Sequence, residues 1–116
     1  MPANNKQVGG GHYQGEYQHW DFVCDVNMHY LLGCATKYLV RWREKNGVED
    51  LKKAIHYVEK AEEKGVTDRA SRPETTKFVE ANKLANYESI AFFAICGGRY
   101  ETAKIAIGIL IEKEGE

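Results

Sequence analysis

The stretch LLGCATKYLVRWREKNGVEDLKKAIHYVEKA, residues 31–61, holds two helical periods joined by a glycine turn. In its first half Leu31, Cys34, Ala35, Tyr38, Leu39 and Trp42 recur three and four residues apart, the spacing of one buried helical face. A helix over residues 30–45 is the expectation. Asn46-Gly47 closes it, because glycine takes the left-handed conformation at a helix end without a Cβ clash. Glu49 and Asp50 then fall in the first turn of a second helix, where carboxylates complement the helix dipole. The apolar face of that helix is Leu51, Ala54, Ile55, Val58 and Ala61, and the short turn makes the pair antiparallel neighbours.

Outward from this pair the chain stays helical in pattern. Upstream, YQHWDFVCDV over residues 17–26 supports a short helix from about Trp20 to Val26. Residues 1–11 are polar and end in three glycines, a composition that buries too little to offset its ordering entropy, so a flexible arm is expected. Downstream, GVTDRASRP at residues 65–73 is breaker-rich and reads as a linker. Beyond it come helices at residues 74–81, 87–96 with Asn86 as cap, and 100–112. The β-branched run at residues 105–111 has no partner strand and follows a helical start, so it is read as helix. Phe92 and Phe93 are adjacent, and the last helix is apolar around most of its circumference, so this hairpin needs cover on more than one side and a second subunit is expected to supply it. The expected fold is therefore all-α: a compact domain of five or six helices, with a core over residues 12–64, a C-terminal hairpin over residues 74–116, and homo-oligomeric assembly. The single GRYETA turn has no 34-residue repeat behind it, which excludes a tetratricopeptide array.

Composition narrows the function classes. The 116 residues hold 16 basic against 17 acidic side chains, so no global field draws the chain to nucleic acid or to an anionic membrane. Cys24, Cys34 and Cys96 lack the paired spacing of a disulfide framework or a zinc site and are expected as buried thiols. No apolar signal core opens the sequence and no run is long enough to span a bilayer. A cytoplasmic protein is the expectation.

Three groups of residues suggest chemistry. Lys37, Arg41 and Lys45 stand four residues apart along one edge of the apolar face, where a phosphate could be gripped while its nucleoside packs on aromatics. From spacing alone, the commoner meaning of such a stripe is a wet flank whose stems cover the core edge. Asp50 shares a side with Ala54 and Tyr57 and could orient a ribose hydroxyl or a basic side chain, or serve as a base; a helix-start charge is the plainer reading. The Gly-Gly-Gly-His-Tyr-Gln segment could close as a flap or be a loose tail, and it is no Walker loop, since GxxxxGK followed by Ser or Thr is absent. His12, His19, His29 and His56 show no metal spacing, and the Glu59/Glu62 pair lacks the second acidic pair that an all-α pyrophosphatase needs.

The ordered set Gly10, His12 and Tyr13; Gly33, Lys37, Tyr38 and Arg41; Lys45, Asn46 and Gly47; and Asp50, Leu51, Lys53, Ala54 and Tyr57 resembles the SaV-like phage protein family. That family of small domains includes a phage nucleotide kinase. The resemblance implies nucleotides as partners and a site of Lys37, Arg41 and Asp50 for catalysis, with His12, Tyr13, Gln14, Tyr38, Lys45, Lys53 and Tyr57 binding substrate. It implies a nucleoside monophosphate kinase in the host cytoplasm, transferring a phosphoryl group to a (deoxy)nucleoside monophosphate. No tightly bound cofactor is expected, with magnesium entering on the nucleotide. A non-catalytic oligomeric binder that sequesters a host signalling nucleotide is the alternative.

Overall fold

The computed structural model describes residues 17–115, and among them every regular element is helical. The order is α1 His19–Asp25, α2 Tyr30–Arg41, a 3-10 turn Trp42–Glu44, α3 Val48–Lys64, α4 Arg72–Ala81, α5 Asn86–Cys96 and α6 Tyr100–Glu114. The arm expected at residues 1–11, and with it His12, Tyr13 and Gln14, lies outside the described residues. No helix among the described residues is long and apolar enough to cross a membrane.

Helices α2 and α3 form the antiparallel pair the central stretch predicts, with two adjustments. The α-helix stops at Arg41 rather than running to residue 45, because Trp42 turns into the core and the chain tightens there into a 3-10 turn. Gly47, at φ +60°, donates its N–H to the Trp42 carbonyl at 2.8 Å and so closes the turn. The buried face of α2 is also rotated: Leu32, Ala35, Thr36 and Leu39 point inward, while Leu31, Cys34 and Tyr38 are only half-buried on its flank. A buried threonine is satisfied here because Thr36 Oγ1 donates back to the Leu32 carbonyl at 3.0 Å and meets His19 Nε2 at 2.7 Å. At the far end of α3, Gly65 adopts φ +70° and the Val66 N–H reaches the Ala61 carbonyl at 3.0 Å, the hydrogen bond of a left-handed helix stop.

Three further boundaries move by a residue or two. Helix α4 begins at Arg72, inside the expected linker, since the Ser71 side chain accepts from the Glu74 N–H and Pro73 fits the first turn. Asn86 opens α5 at φ +54° instead of capping it, and α6 continues to Glu114. The cysteines are not uniformly buried: Cys96 is, Cys34 is half-buried, and Cys24 is exposed on the short α1.

One hydrophobic core links all six helices. Phe78 of α4 stacks on Phe92 of α5 at 4.9 Å and 9°, and Phe22 of α1 packs against both at 5.0 and 5.3 Å. Helices α5 and α6 pack on each other, and they also rest on α2 and α3 respectively, so part of the cover expected from a second subunit comes from this chain. Ile90 and Ile105 stay exposed. Trp42 fixes the end of α2 to α5 by donating Nε1–H to Glu88 Oε2 at 2.7 Å, with Arg43 on the same carboxylate at 3.3 Å.

Candidate functional site

The antiparallel packing of α2 on α3 turns their shared outer face into a cleft of about 440 Å³ lined by Tyr38, Lys53, His56, Tyr57 and Lys60. Its floor is aromatic. Tyr38 and Tyr57 stack with centroids 5.7 Å apart and planes 16° from parallel. Tyr38 sits on the flank of α2 because the rotated core face leaves it there, and Tyr57 follows Lys53 by one helical turn on α3.

Three cations collect at the Tyr38 ring. Arg41 Cζ lies 4.6 Å from its centroid, Lys37 Nζ 4.9 Å and Lys53 Nζ 5.3 Å. Electron-rich ring faces attract such groups, yet their like charges repel one another, so the arrangement is well suited to an anion that neutralises them. Lys53 arrives from α3, three residues past Asp50, although its neighbours in sequence place it off the Asp50 side. The helix crossing brings it over.

Asp50 holds a different station from the one a base would need. Its side chain is fully buried, and Oδ2 accepts from Arg41 Nε and from the Asn46 N–H, both at 3.3 Å. Oδ1 has no hydrogen-bond partner. Asp50 therefore orients a basic side chain, the second of the roles its position suggested, and it does not line the cleft. Lys45 also stays apart. With α2 ended at Arg41, the third member of the expected stripe lies in the exposed turn and does not reach the cleft. Gly33 has no steric need of glycine, since a Cβ there would meet Val23 at an ordinary 3.8 Å.

The Tyr57 phenol is pushed up by the charge of neighbouring Cys34, by burial and by Tyr38, and Tyr30 is pushed up first by its hydrogen bond with Cys34. Both phenols stay neutral around neutral pH. Behind Lys37, burial and then the lysine's own charge lower His19 to about 4, so its imidazole is uncharged there too. Burial likewise drives the Cys96 thiol up to about 12, which leaves it inert. Among the described residues no group of three or more His, Cys, Asp or Glu side chains is placed to hold a metal ion.

Sequence reasoning missed His56 and Lys60, which line the cleft beside Tyr57. The signal was present, since positions 53, 56, 57 and 60 recur at helical spacing on one side of α3, but they lie outside the apolar face that was used to read it. No curated protein and no solved structure matches the chain. Residues 8–59 match the family model described as a protein of unknown function, DUF3310, so the part of the chain that builds α1, α2 and most of α3 corresponds to a small domain of a family without an assigned activity.

Proposed function

We propose that this protein binds nucleotides at the α2–α3 cleft, with the phosphate among Lys37, Arg41 and Lys53 and the nucleoside against Tyr38 and Tyr57. The observation that carries this reading is the gathering of three cations within 5.3 Å of one tyrosine ring, at a cleft with no carboxylate among its described lining residues. Arginine supplies a planar fork for phosphate oxygens and the lysines supply mobile point charges. Aromatic rings accept a base or a sugar face without demanding its identity.

The resemblance to the SaV-like phage family extends the proposal to phosphoryl transfer onto a (deoxy)nucleoside monophosphate. Such transfer consists largely of positioning and charge neutralisation, which cations without a Walker loop can supply. In that reaction a donor phosphoanhydride oxygen–phosphorus bond breaks as the acceptor phosphate oxygen bonds to the same phosphorus, and Lys37 and Arg41 balance the charge on the moving group. Magnesium would enter on the donor nucleotide. A non-catalytic binder is the second reading, favoured by the burial of Asp50, which leaves no carboxylate among the described residues that line the cleft.

Incubating the protein with each nucleoside monophosphate, a triphosphate and magnesium, and assaying for diphosphates, separates the two. Diphosphate formation that is lost in Lys37→Ala supports transfer. Saturable binding without turnover leaves the binder, and no rise in melting temperature with any nucleotide removes both.

A further inference from the structure

The cleft carries a second cationic pole that the grip on one phosphate does not use. Lys53 and Lys60 are seven residues apart on α3, two helical turns, so they mark ends of the cleft about 10 Å apart along the axis, with Tyr57 and His56 between them. Among the described residues each lysine has its carboxylate partner toward the outside: Lys53 Nζ meets Glu49 at 3.7 Å, one turn before the cleft, and Lys60 Nζ meets Glu63 at 3.5 Å, beyond it. Such half-exposed pairs contribute little, so either lysine is released to a ligand at small cost. Between the poles the lining is phenol and imidazole.

Resting on the nucleotide reading, we infer that the ligand is a nucleotide with separate phosphates on both sides of its nucleoside, of the 3′,5′-bisphosphate or short linear dinucleotide type. One phosphate lies at Lys37, Arg41 and Lys53, the nucleoside spans Tyr38 and Tyr57, and the second phosphate reaches Lys60 and His56. A lysine side chain swings on four methylenes, so the two poles can close by several ångströms onto a ligand shorter than their separation. A chain of adjacent phosphates on one side of the sugar satisfies only one pole.

The test is calorimetric titration of the full chain with the four nucleoside 5′-monophosphates and the matching 3′,5′-bisphosphates, repeated with Lys60→Gln. The bisphosphate is expected to bind at least about tenfold more tightly than its monophosphate, and Lys60→Gln to remove most of that advantage. Lys60 is exposed on a helix surface, so the variant keeps the fold. Equal affinity for the two ligands overturns the inference and leaves the nucleotide reading standing, as does a bisphosphate advantage that survives Lys60→Gln. Binding of neither ligand overturns both.

Discussion

Helices α2–α3 and α5–α6 are both antiparallel hairpins with short connections, and they spend their residues in opposite ways. In α5–α6, Ala91, Phe92, Ala94 and Ile95 of one helix and Ala103, Ala106 and Ile107 of the other are all but fully buried in the core. In α2–α3 one face enters the same core while the other gathers lysines, an arginine and two stacked tyrosines around a cleft. A hairpin that supplies the core is costly to alter and has little to offer a ligand. One whose outer face is polar can change much of that face at small cost, except at Arg41, which also pairs with the buried Asp50.

The largest expected effect falls on the α5–α6 hairpin. Phe92→Ala removes the ring that stacks on Phe78 and should destabilise the fold by about 3–5 kcal/mol in a denaturant titration. Nucleotide binding by the folded fraction should be unchanged. Arg41→Met comes next and tests where the two roles overlap. It leaves the fully buried Asp50 with only the Asn46 N–H, which should cost about 3 kcal/mol, and it removes a phosphate ligand as well. Adding Asp50→Asn should restore most of the stability without restoring binding.

The pH dependence has a sign fixed by His19. Its folded pKa, about 4, lies below the unfolded value, so between these limits the unfolded chain binds more protons. The stability tied to neutral His19 is full above about pH 6.5 and is lost as pH falls toward 4, on the order of 3 kcal/mol in total. His19→Gln, which keeps a hydrogen bond to Thr36 within reach, should flatten that limb of the stability curve. Smallest of all is Lys53→Ala. Its surface pair with Glu49 contributes little, so the melting midpoint should stay within about 0.5 kcal/mol of wild type while nucleotide affinity drops about tenfold or more.

The same contrast explains what the sequence disclosed. All six helices were legible in the sequence, the central pair most directly, since Leu51, Ala54, Val58 and Ala61 need only their spacing to be recognised. The end of α2 was not legible because Trp42 suits either a continuing helix or a turn into the core, and only its bond to Glu88, 46 residues away, selects the turn. Thr36 carries no mark of burial in the sequence, and its hydroxyl is accommodated in the core by His19 and the Leu32 carbonyl. Around Tyr38, Lys37, Arg41 and Tyr57 were visible as a pattern, whereas Lys53 reaches Tyr38 only through the crossing of two helices. Asp50 carried no mark of burial, because a carboxylate in a first helical turn is ordinarily wet, and Arg41 from the neighbouring helix draws it inside.

Calorimetric titration of Lys37→Ala and Lys53→Ala with the nucleotide that binds wild type most tightly, alongside their denaturant midpoints, tests the central claim most directly. Affinity should fall about tenfold or more in each variant, with stability held within about 0.5 kcal/mol. Affinity equal to wild type in both, or losses that merely follow a loss of stability, would contradict a phosphate grip at Tyr38.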